Sequence, residues 1–315
     1  MTATTHIAQG SGTDSALDTA TERFIELQAR LLEYYGVEAT SRYLQLAEPR
    51  MRAHVLDAGA GEPVLLFHGG DGEAVNWAPL ISQLQDSLRV ISVDRPGFGL
   101  SDPFDYRTVD LRQHAADFIS SLLDALGIES ATLVGGSMGG FFALSAAAIH
   151  PDRVRRLVLV GLAVGAVSEI PESLRAISDN PQLAVEFMKG RDTLEAQHTQ
   201  YREMFHVDPA TLPELFFETR IAGLRLPSEQ GTWATLLPRA ADPDLYFGDV
   251  LGTLTMPALV IWGENDMAPV AVGECIASQL GNGTCVPLPG VAHFPFLEAP
   301  EQTAQVIRDF MDSNG

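Results

Sequence analysis

Gly135-Gly136-Ser137-Met138-Gly139-Gly140 follows the apolar run Ala131-Thr132-Leu133-Val134 and opens into a helix-like stretch, Phe141 to Ile149. A strand that ends, one residue held in a strained turn and a helix that begins are the parts of a nucleophile elbow. Gly135 and Gly139 carry no Cβ, so neighbouring backbone can pass close to the turn. The start of a helix leaves free N–H groups beside the Ser137 hydroxyl. A Gly-rich turn with a capping serine would use the same residue types, but the strand before it and the helix after it favour the elbow.

Outward from the elbow, short apolar strands alternate with helices. Toward the N-terminus lie Val64 to Phe67, a helix near Ala78 to Leu84, Val90 to Val93 and a helix near Leu111 to Leu126. Beyond the elbow helix comes Val154 to Val160, and the pattern resumes at Ala258 to Trp262, a helix near Val270 to Leu280, a strand near Thr284 to Pro287 and a final helix from Glu301 to Met311. Such alternation predicts an α/β fold, a mostly parallel sheet with helices on both faces. Arg42 to Leu46 and Arg52 to Leu56 flank a turn at Glu48-Pro49 and read as a hairpin. Strand runs vanish from about Ala163 to Gly248, where helical stretches such as Pro181 to Met188 and Pro213 to Ile221 are predicted. An insertion of that kind, over the ligand edge of a sheet, reads as a cap. The expected organisation is therefore a polar tail over 1–20, a helix within 21–41, a core over 42–162 and 249–315, and a helical cap over 163–248.

A chain of 315 residues with 46% hydrophobic content can build a large core unaided. Twenty Lys+Arg against 41 Asp+Glu give a net charge of −21, and Lys189 is the lone lysine. Nucleic acid and anionic membrane are bound through basic surface, so neither is an expected partner. The N-terminal segment lacks the basic and apolar regions of a secretory signal. No run reaches the roughly 18 apolar residues of a membrane span. The expectation is a soluble, cytoplasmic protein with a small-molecule substrate, and a homodimer is compatible with it. Cys275 and Cys285 sit outside any metal-binding spacing and read as structural thiols, or as a pair if the fold brings them together, and no His/Cys/carboxylate cluster has ligand spacing, so no metal or cofactor is expected.

A serine hydroxyl needs a base within hydrogen-bond reach, itself oriented by a carboxylate. His293, in the loop between the last strand and the last helix, is the candidate base. Trp262-Gly263-Glu264-Asn265-Asp266 supplies the acid directly after a strand; Asp266 is favoured over Glu264, which lies closer to the strand end. Charge developing on a carbonyl oxygen needs preorganised donors. The N–H of Met138 is one source, and His68-Gly69-Gly70-Asp71-Gly72 offers another, with Gly70 as the donor and Asp71 in reserve. His68 reads as a holder of that loop, and Asp94-Arg95-Pro96-Gly97-Phe98-Gly99-Leu100-Ser101 as scaffold.

Taken in order, His68-Gly69, Asp94 to Ser101, Gly135 to Gly140, Trp262 to Asp266 and His293 resemble the landmarks of the α/β-hydrolase superfamily. That resemblance implies an eight-stranded sheet, a helical cap, a Ser-His-Asp triad of Ser137, His293 and Asp266, and no cofactor. Ser137 sets the chain apart from the branches with an aspartate nucleophile. His68-Gly69-Gly70, Trp77, Ser137 to Gly140 and Arg220 are further similar to the C–C bond hydrolases of meta-cleavage pathways, where a cap arginine meets an acidic substrate. Asp71-Gly72-Glu73 and Phe294 depart from that group, which carries Gly-Pro-Gly and a tryptophan there. Arg220 reads either as a substrate-carboxylate ligand or as a helix-surface residue. Asp71, Phe141, Met267 and Phe294 complete the candidate substrate-binding set. The expected activity is hydrolysis of a small to medium, largely apolar carboxylic ester; a C–C hydrolase of dienoic keto acids and a slow hydrolase-like receptor are the alternatives.

Overall fold

The computed structural model describes residues 12–70, 72–161, 163–168, 176, 179–180, 182–183, 189–239, 242 and 245–315. Eight strands form one sheet: β1 (Ala39–Leu46), β2 (Met51–Ala58), β3 (Glu62–Phe67), β4 (Leu88–Val93), β5 (Ala131–Gly136), β6 (Val154–Val160), β7 (Ala258–Gly263) and β8 (Gly283–Leu288), in the order β1-β2-β4-β3-β5-β6-β7-β8. From β4 across to β8 every pairing is parallel, and β2 runs antiparallel to both β1 and β4. The strand order reverses about β3, whose neighbours are β4 and β5. In open α/β sheets the crevice at the carboxyl ends beside such a switch point is where ligands bind.

The period of two along the strands sends alternate residues to two cores. Leu65, Phe67 and Leu133 pack with α3 (Leu111–Leu126) and α4 (Met138–Ile149) on one face. Val64, Leu66 and Val134 pack with α2 (Ala78–Leu84) and the C-terminal helix on the other. Because β5 is covered on both faces, its run of apolar and small residues does not alternate, as expected of a central parallel strand. Helix α3 starts at Asp110, whose side chain accepts from the Gln113 N–H, and stops at Gly127, with φ 68° in the left-handed region.

Among the described residues between β6 and β7 there is no strand; three α-helices stand there, α5 (Leu194–Met204), α6 (Glu214–Leu224) and α7 (Pro227–Leu236). The predicted helix at Pro181 to Met188 lies largely outside the described residues. Helix α1 (Gly12–Tyr34) packs on α6, with Phe24, Leu27 and Leu31 buried. It begins nine residues before Thr21, where the polar tail was expected to end: Ala16, Leu17 and Ala20 are strong helix formers that outweigh the Ser/Thr content around them. After α8 (Val270–Gln279) and β8 come a short α9 (Pro295–Glu298), which the periodicity did not show, and α10 (Pro300–Ser313). Cys275 and Cys285 are both free thiols.

Candidate active site

Ser137 directly follows β5 and caps α4 with φ 51° and ψ −116°. Positive φ in a residue with a Cβ is strained, and close packing holds it there. A Cβ on Gly139 would stand 1.9 Å from the Phe67 carbonyl oxygen, and one on Gly135 would stand 2.4 Å from that of Gly139. Both glycines are thus required by the approach of β3, β5 and α4. The Met138 N–H opens α4 and, as a first-turn donor, has no carbonyl partner within the helix.

His293 and Asp266 come from the loops after β8 and β7. His293 Nδ1 lies 2.9 Å from Asp266 Oδ1, and both residues are buried. With Nδ1–H directed at the carboxylate, the imidazole Nε2 is left as an acceptor. Asp266 Oδ1 also accepts the Met267 N–H at 2.6 Å, while Asp266 Oδ2 is buried with no hydrogen-bond partner among the described residues. Glu264, the rival acid, points to solvent, and its N–H binds the Leu288 carbonyl. Asn265 N–H donates to Val291 O at 2.8 Å, tying the acid loop to the histidine loop.

Several residues that shape this corner escaped the sequence reading. Glu298 accepts the N–H groups of Ala292 at 3.0 Å and Phe294 at 2.9 Å, clamping the loop on either side of His293. Burial raises the Glu298 carboxyl above its ordinary pKa, against those two N–H groups and His293, which lower it. Gly161, directly after β6 with φ 69°, lets the backbone pass close to the histidine loop: a Cβ there would meet His293 O at 3.3 Å. Phe205 stacks on the imidazole with centroids 5.3 Å apart and an 8° interplanar angle. The five-residue spacing from His293 to Glu298 and the four-residue spacing from Tyr201 to Phe205 were the available signals, and neither distinguishes a site from packing.

The loop after β3 is held as expected. His68 Nδ1 lies 2.8 Å from Gly69 O, and His68 Nε2 accepts the Arg95 N–H at 3.1 Å. Burial lowers the His68 pKa well below its ordinary value, with Arg95 adding to the effect, so the ring stays neutral as that acceptor role requires. Gly70 lies beneath α7: a Cβ on it would meet Trp233 at 3.0 Å. Asp71 lies outside the described residues.

Of the remaining candidates, Phe141 is fully buried against Phe142 and Phe247 and fills core beneath the elbow. Phe294 is half-buried, its ring against Phe205 at 4.8 Å and Tyr201 at 5.5 Å, whereas the Met267 side chain is exposed. The helix-surface reading of Arg220 is corrected. Arg220 is 0% exposed, and its Nη1 forms an ion pair with Glu73, also 0% exposed. Burial raises the Glu73 carboxyl well above its ordinary range; Arg220 opposes that shift, and the buried Glu229 adds to it. Arg220 therefore faces a carboxylate supplied by the chain itself, at the very position where Asp71-Gly72-Glu73 replaces Gly-Pro-Gly.

A second serine–histidine–aspartate chain exists on the β1–β2 hairpin, where Ser41 Oγ is 2.8 Å from His54 Nε2 and His54 Nδ1 is 2.6 Å from Asp94 Oδ2. Ser41 lies inside strand β1, with no turn into a helix after it and hence no first-turn N–H beside its hydroxyl. Asp94 is further engaged by the N–H groups of Ala74 and Leu100. This chain knits the hairpin to the loop after β4.

The α/β hydrolase fold model matches residues 62–300, and the chain belongs to that family. It is 31% identical over 285 residues to a 2-hydroxy-6-oxononadienedioate/2-hydroxy-6-oxononatrienedioate hydrolase of Paraburkholderia phymatum, covering 87% of this chain and 96% of the relative. It is 30% identical to a 2-hydroxymuconate semialdehyde hydrolase of a Pseudomonas strain, over 83% of this chain and 90% of the relative. Among solved structures, a thermophilic esterase of Thermogutta terrifontis superposes with a TM-score of 0.70 at 27% identity, over 87% of this chain and 99% of that one. Among the described residues no helix is long and apolar enough to cross a membrane.

Proposed function

We propose that the protein is a serine hydrolase that cleaves a small to medium, largely apolar carboxylic ester through an acyl-enzyme. The observation that carries this reading is the buried His293–Asp266 pair, on the same sheet edge as a serine held at positive φ. Ser137 Oγ attacks the ester carbonyl while His293 Nε2 takes its proton; the proton passes to the departing alkoxide. Water, deprotonated by the same imidazole, then releases the acid and restores Ser137. Asp266 keeps the imidazole in the tautomer that can accept and stabilises it once charged. The N–H groups of Gly70 and Met138 receive the oxyanion.

The Arg220–Glu73 pair supports a neutral substrate. A carboxylate-bearing substrate would have to displace a buried internal carboxylate to reach the guanidinium. Removing one partner of such a pair costs about 3–5 kcal/mol, since the other is left buried and uncompensated. The second reading, C–C hydrolysis of a dienoic keto acid, is favoured by the names of the curated relatives.

A panel of p-nitrophenyl esters, measured beside spectroscopic turnover of a ring-fission dienoic keto acid, tests the choice. The ester reading expects kcat/KM for the best ester to exceed that for the keto acid by at least about a hundredfold, or about 2.7 kcal/mol. The opposite order would overturn it. Exchanging the whole buried cluster, Glu73→Gln and Glu229→Gln with Arg220→Met, avoids stranding a charge and is expected to leave neutral-ester kinetics within about threefold, consistent with a pair that does not bind the substrate.

A further inference from the structure

Arg95 comes from the loop after β4, yet among the described residues its side-chain hydrogen bonds go to the loop after β3. Its Nε donates to His68 O at 2.9 Å and its Nη2 to Gly69 O at 2.7 Å. The guanidinium is 0% exposed and lies over the rings of Phe98 at 4.5 Å and Phe142 at 5.2 Å. Among the described residues it has no ion pair with a carboxylate, and its Nη1 has no hydrogen-bond partner. Burial lowers its pKa to about 10 against the through-space pull of Tyr106 and Glu229, so it remains a cation at neutral pH. A buried cation without a paired anion is costly. Here its charge falls on two backbone carbonyls.

Those two carbonyls determine where the following N–H groups point. In a planar trans peptide the carbonyl and the next N–H face opposite sides. Gly69 O faces Arg95, so the Gly70 N–H faces away from it. Gly69 borders the elbow: a Cβ on it would lie 3.3 Å from Ser137 Cβ and 3.9 Å from Ser137 Oγ. A cation on the carbonyl also draws electron density from the amide and strengthens its N–H as a donor, as in chains of hydrogen bonds in low dielectric. We propose that Arg95 is a positioning residue for the oxyanion hole, orienting and polarising the Gly69–Gly70 peptide so that the Gly70 N–H is aimed at the charge that develops on the substrate carbonyl oxygen. The inference rests on the serine-hydrolase reading above.

The test compares Arg95→Met and Arg95→Lys with the wild-type chain, with active sites counted by a fluorophosphonate. Two inhibitors are titrated. A trifluoromethyl ketone adds Ser137 Oγ to its carbonyl carbon, passes the serine proton to His293 and leaves its oxygen as an oxyanion; the matching alcohol binds without forming that charge. In Arg95→Met the ketone should bind about a hundredfold more weakly and kcat should fall about equally, while alcohol affinity and KM stay within about twofold. Arg95→Lys, which can reach one carbonyl, should recover part of both losses.

A merely structural role would lower melting temperature and the count of active sites without changing the ratio of the two affinities. An unchanged ratio in folded Arg95→Met overturns the inference. If that variant does not fold, an unchanged ratio in Arg95→Lys overturns it. Wild-type protein that neither binds the ketone nor takes up fluorophosphonate would instead refute the serine-hydrolase reading, and this inference with it.

Discussion

Ser137→Ala is expected to lower ester turnover by at least about 10⁴-fold, because removing such a nucleophile leaves only binding and oxyanion stabilisation to act on water. The substitution deletes one oxygen and keeps the Cβ, so the packing of Phe67, Gly135 and Gly139 around the turn is undisturbed. Circular dichroism and melting temperature should match wild type, separating lost chemistry from lost fold. Turnover of purified Ser137→Ala above about a hundredth of wild type would count against the nucleophile assignment, since the loss is normally far larger.

Asp266→Asn should lower kcat by about 10⁴-fold with little change in KM, through the wrong imidazole tautomer. Oδ1 of Asp266 faces His293 Nδ1 at 2.9 Å and also accepts the Met267 N–H. An amide turned so that its nitrogen faces the ring would donate to Nδ1, at the expense of the Met267 N–H that shares Oδ1 with the ring. The ring would then present Nδ1 as an acceptor and carry its proton on Nε2, where it cannot receive one from serine. Glu264→Gln is the matched control. Its side chain is in solvent, so kcat should stay within about twofold of wild type, as for a surface change. If Glu264→Gln were the crippling change, the acid would be misassigned.

Where local chemistry decided the outcome, the sequence was readable. The strand-turn-helix around Ser137 needed only β5, two glycines and an apolar helix, all within twenty residues of one another, and the Glu48-Pro49 hairpin was equally local. The preference for Asp266 over Glu264 followed from position after β7, and burial agrees with it. Long-range partners were illegible. Nothing near Arg220 foretold that Glu73, 147 positions away, would face it in the buried interior. Gly161 looked like any strand-ending glycine until the backbone of the histidine loop after β8 came to rest beside it. Arg95 sat in a turn-rich run whose scaffold role is real, since Asp94 and Ser101 bind within it and to β2, but its side chain crosses to another loop. Helix α1 was cut short at Thr21 because a Ser/Thr-rich stretch reads as a tail, whereas in the fold the helix runs from Gly12 to Tyr34.

The most direct measurement is to mix the protein with p-nitrophenyl butyrate, quench within the first turnover and map the acylated peptide by mass spectrometry. The account predicts a burst of p-nitrophenol and a single butyryl group on Ser137, both absent from Ser137→Ala. Release of p-nitrophenol with no adduct, or with the acyl group on Ser41 instead, would contradict it.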